Sequence, residues 1–408
     1  MDFSLSPELA RLQDVGKDLA KRFAKNAARH DDEASAPQEN YQLLREAELY
    51  GLLVPKELNG MGAGLLGHSV FMEEIAQGCP ATAMSFNMHC VAAYTLTATK
   101  AFDADVRKKI AHLIVSEQRL MANLISESGT TNLLYSTRAS STQATKVKGG
   151  YRLDGKKAFA TMISSADIAL ICVHPSSDKN PESVIMVVVS TDNPGLSIET
   201  VWDTLGMRGT CSDNVVLENC FVPDEWVFDD VPIPSIGEFL AKNESMINLP
   251  YTSVYLGVGL ASLKAIKDIV SKRTPKGYEQ PLSYHPDIRR RIGMISAQLE
   301  SARWLLRYAA WLADLKGQTS EAQTAFFRAK YVVGEAVTNV TRSALEMGGA
   351  HSIFKGSVIE RMFRDGATAT IMQPSSDVCL GQISMVELAL DPSRVQLPLT
   401  PIPAESLD

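Results

Sequence analysis

The chain is poor in the short motifs that announce a reaction. It has no Gly-x-Ser-x-Gly elbow, no phosphate-binding P-loop and no His/Cys/Asp cluster at metal-ligand spacing. Those absences remove nucleophilic hydrolases, P-loop nucleotide hydrolases and a resident metal from the expectations. Its six cysteines (Cys79, Cys90, Cys172, Cys211, Cys220, Cys379) include no C-x-x-C pair. In a chain this long such scatter means reduced, mostly buried thiols and a cytoplasmic setting. No apolar run approaches the ~20 residues that span a bilayer. The opening MDFSLSPELARLQDVGKDL is amphipathic rather than a positive segment followed by an apolar one, so neither a membrane span nor a secretory leader is expected. The net charge is −7 and no basic run stands out, which argues against a nucleic-acid partner. Short-period repeats and low-complexity tracts are also missing.

What remains is an ordinary globular composition, 45% apolar and 21% charged over 408 residues, enough for two or three structural units. The apolar spacing changes character twice. Leu9, Leu12, Val15, Leu19 and Phe23 recur at intervals of three and four, and Ser6-Pro7-Glu8 supplies an N-cap serine and a first-turn proline. After a Gly/Asn break at 58–67, a further apolar helix is expected around His68–Ala76. From about Gln118 the period drops towards two. Segments 167–174, 183–191 and 196–202 are expected as strands, and YRLDGKKAF (151–159) as a strand pair closing at Asp154-Gly155. From about Ile236 helices return, with Ile288, Ile292, Ile295, Leu299, Ala302, Leu306, Ala309 and Ala313 forming one apolar stripe. The expected fold class is therefore α+β in α–β–α order. An N-terminal all-α domain covers 1–117, a middle β-barrel or sandwich domain 118–235, and a C-terminal antiparallel helical bundle 236–408.

Six segments carry a further signal through their order. They are GLLVPKELNGMGAG (51–64), SESG (126–129), LDGKKAFATMISSAD (153–167), LGMRGTCSDNVVLENCFVP (205–223), LGVGLASLKAI (256–266) with Arg273 and Gly277, and RSALEMGGAHSIFKGSVIERMFRDGATATIMQPSSD (342–377). Together they resemble the acyl-CoA dehydrogenase family. The resemblance implies FAD held between the β-domain and the last bundle, an acyl-CoA or other acyl thioester substrate, a homodimer or homotetramer, and an electron-transfer partner. A flavin needs hydrogen-bond donors at its pyrimidine edge and N5, a flat neighbour, and positive charge or amides at its pyrophosphate. Ser126 and Thr161 are short hydroxyls that can supply donors. Phe159 stands where the family has a tryptophan and offers an apolar face. Arg273 suits phosphate, and Gly348, Gly349 and Ser375 complete the expected flavin contacts. Chain departures fall at Met162-Ile163, Lys276 and Leu345, and Glu346 can take the place of the family's glutamine before the Gly-Gly pair.

The family's base is a glutamate eight residues past the Arg-Asp pair, and the same count from Asp365 reaches Gln373. Removing a weakly acidic C–H proton beside a thioester suits a desolvated carboxylate, and an amide cannot accept that proton. Ile247 occupies the alternative glutamate position known in some family members. Glu244, about one turn earlier, and Asp377, four residues past Gln373, are the candidates for a relocated base, each balanced against a surface or capping role. Three functions therefore stay open. They are a dehydrogenase with a moved base, a flavin oxygenase or oxidase on the same fold, and a non-catalytic subunit pairing with an active homologue. His89 is expected either as a satisfied core histidine or near the substrate, and His351 as a helix cap or a flavin-side contact.

Overall fold

The computed structural model describes residues 4–99, 102–127, 140–179, 183–233, 244–317 and 319–390, with side chains described except over 229–248. Six helices come first: α1 (Pro7–Phe23), α2 (Ala27–Glu33), α3 (Gln38–Glu46), α4 (Gly64–Gly78), α5 (Pro80–Thr97) and α6 (Ala104–Ala111). The Ser6 hydroxyl accepts from the Leu9 amide at 3.3 Å, as the capping pattern predicts, and Leu12, Gly16, Leu19 and Phe23 form the buried stripe of α1. Helices α4 and α5 are buried on nearly every side. Gly78 lets α4 end against α1, because a Cβ there would stand 2.1 Å from the Ala20 carbonyl oxygen.

Eight strands follow: β1 (Met121–Leu124), β2 (Gln143–Val147), β3 (Gly150–Ala160), β4 (Ile168–Pro175), β5 (Val184–Ser190), β6 (Leu196–Glu199), β7 (Asp213–Pro223) and β8 (Val227–Ile233). They form one sheet in the order β6-β7-β3-β2-β4-β5-β8, with β1 parallel to β4. Alternate residues of β4 and β5 serve two cores. Leu170, Cys172, Met186 and Val188 join the helices, whereas Ile171, Val173, Val187 and Val189 pack inside the curled sheet with Leu153, Val215 and Val222. Two covered faces explain the unbroken apolar run of β4.

Two sequence expectations are corrected here. Residues 151–159 are not a hairpin. They lie in the single strand β3, and the chain reverses at Lys148-Gly149, where Gly149 has φ +81°. Asp154-Gly155 instead forms a bulge: the Asp154 carboxylate accepts from the Asn219 amide at 2.7 Å, and Gly155 has φ +147° with no room for a Cβ against Thr142. The strand expected over 196–202 stops at Glu199, because the Val201 and Trp202 amides turn to the Asp213 carboxylate at 2.8 and 3.0 Å.

The last block contains α7 (Glu244–Lys272), α8 (Pro286–Lys316), α9 (Ser320–Gly348), α10 (Val358–Ala367) and α11 (Ser376–Glu387). Helix α9 packs on α7, α8, α10 and α11, and α4 packs on α7 and α8. Buried Glu73 of α4 binds Arg303 of α8 at 2.8 Å, so the two helical blocks share one body. All six cysteines are free and buried. Among the described residues no helix is long and apolar enough to cross a membrane.

Candidate active site

At the end of β3 a register shift between Lys157 and Ala160 turns one large side chain outward. Phe159 adopts φ +55° and is 60% exposed, a costly state for an aromatic ring on both counts. Its one aromatic neighbour among the described residues is Trp202, edge-to-face at 6.0 Å, whose indole N–H donates to the Met207 carbonyl at 3.1 Å. Beside it runs a chain of hydroxyls. Thr210 donates to the Met207 carbonyl at 2.9 Å, so Ser212 must donate to Thr210 and Thr161 to Ser212, each at 2.9 Å. That order spends the Thr161 proton on Ser212 and leaves its oxygen as an acceptor, in place of the donor role expected for it.

Exposed Ser126 lies at the same edge, its carbonyl accepting from the Ala158 amide at 3.0 Å. What fixes it is its neighbour. Glu127 takes Lys157 Nζ at 2.5 Å, the Ser140 hydroxyl at 2.6 Å and the Thr142 hydroxyl at 2.9 Å, and both ends of the ion pair are buried. Burial pulls the Glu127 carboxyl up, but the lysine charge and the hydroxyls win and leave it at about 2. The pair welds the segment carrying Ser126 to β3 just before Phe159. Sequence reading missed Glu127 and Lys157 as positioning groups. The only available signal was their adjacency to Ser126 and Phe159, and burial cannot be read from one lysine among several.

A second group forms where α7 and α9 end. Arg273 donates to the Gly348 carbonyl at 3.2 Å, and Gly349 has φ +70°. Arg273 and Gly349 are exposed, so the expected anion-binding pair is assembled at the surface. Glu346 is engaged with Arg291 at 2.8 Å. His351 is exposed and stacks on Phe354 at 6.1 Å.

The third group is built on the Arg364-Asp365 pair of α10, which precedes Gln373 in the sequence. Arg364 grips Asp31 through Nη1 and Nη2, Glu360 from its own helix at 2.9 Å and the Leu205 carbonyl at 3.0 Å. Asp365 accepts from the Met207 amide at 2.6 Å. The Arg-Asp pair thus ties α2, the 202–212 segment and α10 together. Met207 links Asp365 to the Trp202–Thr210 side of the Phe159 platform, so the platform and α10 share one scaffold. Gln373 itself is half-buried. Ser375 caps α11, accepting from the Val378 amide at 3.4 Å. Asp377 is exposed in the first turn of α11. The Glu244 side chain lies outside the described residues.

His89 is resolved in favour of the core. It is fully buried, its Nε2–H donates to the Tyr50 carbonyl at 2.9 Å, and its Nδ1 accepts from the Met121 amide at 3.0 Å. Burial pushes its pKa down to about 4, so it stays neutral.

Comparison with known proteins agrees with this architecture block by block. Residues 6–113 match the acyl-CoA dehydrogenase N-terminal domain, 124–220 the middle domain and 253–388 the C-terminal domain. The mitochondrial isobutyryl-CoA dehydrogenase of Dictyostelium discoideum is 25% identical over 393 residues, covering 95% of this chain and 90% of that protein. Among solved structures, butyryl-CoA dehydrogenase from Megasphaera elsdenii superposes with a TM-score of 0.83 at 20% identity, covering 95% of this chain and 100% of the other. Dibenzothiophene monooxygenase (TdsC) from Paenibacillus sp. A11-2 does so with 0.79 at 21% identity, covering 95% and 99%. One fold thus houses both chemistries.

Proposed function

This chain belongs to the acyl-CoA dehydrogenase family, and from that premise we propose that it is an FAD-dependent oxidoreductase acting on an acyl thioester or an apolar substrate of similar size. The observation that carries the reading is the outward Phe159 ring, fixed beside a directed hydroxyl chain and joined through Met207 to α10, the helix before the Gln373 turn. These residues fit a flavin. An exposed aromatic face in a strained backbone suits a flat ring, Thr161 and Ser126 suit its polar edge, and Arg273 with Gly348-Gly349 suits a pyrophosphate. By the family resemblance the last group serves a partner subunit's cofactor, so the protein works as a homodimer or homotetramer. The exposed stripe of Trp304, Tyr308, Trp311 and Leu315 on α8 supports that assembly. Buried free thiols support a cytoplasmic setting.

When bound, FAD supplies the two-electron acceptor. The chain's own task is to orient substrate and handle the proton. Gln373 can hold a carbonyl or hydroxyl by hydrogen bonds, but it cannot remove a proton, and loss of a placed base costs about 10²–10⁴ in rate. A dehydrogenase built here needs Asp377 or Glu244 re-aimed, with electrons leaving to an electron-transfer partner. The amide favours a second reading, oxygenation on the same scaffold, in which residue 373 need not be an acid.

Anaerobic mixing with a panel of acyl-CoA esters and ferrocenium decides the first reading, since no flavin bleaching with any thioester removes it. Oxygen uptake by the reduced protein with substrate decides the second. A colourless protein that cannot be reconstituted with FAD removes both. Gln373→Glu is expected to raise the anaerobic bleaching rate by about 10²-fold or more if the thioester lies against this residue. An unchanged rate would place the substrate elsewhere.

A further inference from the structure

The turn that delivers Gln373 is held from behind by a buried charge that the proposed chemistry does not use. Lys330, on α9, is 2% exposed, and its ammonium donates to the Ala369 carbonyl at 2.7 Å, just past the end of α10. Unpaired carbonyls and the negative dipole end of a helix attract a cation there. A lysine shut away with one carbonyl partner and the Tyr255 ring at 6.0 Å is nonetheless expensive, and an apolar side chain would fill the space at less cost.

The same turn is gripped from two other helices. On α7, Tyr255 is buried and its hydroxyl lies 3.0 Å from that of Thr368. Thr368 spends its own proton on the Asp365 carbonyl at 2.7 Å, so Tyr255 is the donor. On α11, the buried Cys379 thiol reaches the Pro374 carbonyl at 3.7 Å. Three helices thus direct Lys330, Tyr255 and Cys379 onto residues 368–374, and of these three side chains Lys330 brings the formal charge.

We propose that Lys330 is a positioning residue whose ammonium, acting through the Ala369 carbonyl, sets Gln373 against the substrate. The proposal rests on the reading that Gln373 lies at the substrate. The ionisable groups around the ammonium are Tyr255 from α7, Cys379 from α11 and Glu335 on its own helix. Burial brings the Lys330 pKa down to about 8, against the opposing pull of Cys379 and Glu335. The charge is thus present at neutral pH and fades as pH rises through that value, loosening the turn.

The test uses the full-length, flavin-loaded protein in two measurements. Amide hydrogen exchange over 366–376, corrected for intrinsic rates, is followed at about pH 7 and about pH 9. Octanoyl-CoA affinity is followed by perturbation of the flavin absorbance. In the wild type, exchange over the turn rises between the two pH values. Lys330→Met shows the fast behaviour at both, and Lys330→Arg, charged throughout, the slow behaviour at both. Lys330→Met also weakens octanoyl-CoA roughly tenfold, the size of one charge-assisted hydrogen bond, Lys330→Arg restores it, and the loss disappears in a Gln373→Ala background. A pH-independent wild-type turn, or an equal loss of affinity with and without Gln373, overturns the proposal. If Lys330→Met does not fold, the contrast between wild type and Lys330→Arg decides. If no form binds octanoyl-CoA, the affinity measurement is made with the other acyl-CoA esters of the panel, and binding of none of them removes the thioester reading while hydrogen exchange still judges Lys330.

Discussion

Asp365 bears a carboxyl that the fold would sooner keep protonated. It is 3% exposed and takes a single amide from Met207. Burial raises it first, with Asp31 adding to the rise, and the Met207 amide, Arg361 and Arg364 pull back. The outcome is about 6 instead of the usual 3.8. Because the folded value is the higher one, the group's stabilisation is complete below the unfolded value and is lost as pH climbs through about 6. Urea midpoints should therefore fall between about pH 4 and pH 6 by an amount that Asp365→Asn removes, since an asparagine oxygen still accepts from Met207. Parallel pH profiles for the two proteins would refute this. Glu127 has the opposite sign. Its depressed carboxyl adds stability that is whole above about 4.5 and vanishes as pH drops through about 2. Lys157→Met strands that carboxylate and should cost about 3–5 kcal/mol in urea unfolding, whereas Lys157→Met with Glu127→Leu should recover most of it. A double variant as unstable as the single one would show that packing, not charge, holds the joint.

Between the residues and the whole chain, the segment joining β6 to β7 does the most to build the site. It places Trp202 against Phe159, orders the hydroxyls of Thr210 and Ser212, and hands its Met207 amide to α10. Gly206 permits this, because a Cβ there would stand 2.3 Å from the Arg364 carbonyl oxygen. Gly206→Ala should cost about 1–3 kcal/mol and loosen flavin retention together; a variant that keeps wild-type flavin content and melting temperature would show the contact yields without consequence. This level also shows what could be read in advance. Alternation and 3.6-residue spacing marked the helical blocks and most strands, since each element must bury a face. Asp154-Gly155 misled because a strong local turn signal serves a distant partner, Asn219, and a bulge. Segment order singled out Phe159, Thr161, Arg273 and the Gly348-Gly349 pair as candidates, and the Arg273–Gly348 contact was found in the structure. Burial of Lys157 and Lys330 was not, because a lysine's partner is chosen by tertiary packing and leaves no periodic trace.

At the scale of the whole molecule, α8 is apolar on two sides, and the described residues cover one of them. Ile295, Leu299, Ala302, Leu306 and Ala309 are buried in the bundle. Trp304, Tyr308, Trp311 and Leu315, advancing by four, three and four residues, stand 41%, 45%, 47% and 61% exposed. Their charged neighbours Arg303 and Arg307 reach Glu73, and the Arg307 guanidinium also lies over the Trp304 ring at 5.8 Å, so both cations are engaged on the molecule itself. Water gains nothing from such a surface, whereas aromatic side chains dominate the energetics of protein interfaces. Under the proposed function a second copy is the partner that would use Arg273 and Gly349, both exposed. Tyr308→Glu with Trp311→Glu should therefore lower the mass seen by sedimentation velocity by a factor of about two or more, since two buried charges cost more than a typical interface contact returns. The folded monomer core should be untouched, because neither side chain belongs to it, and far-UV circular dichroism should stay as in the wild type. A wild-type protein that sediments as a single chain while retaining flavin would remove both the strip and the Arg273 group from the assembly.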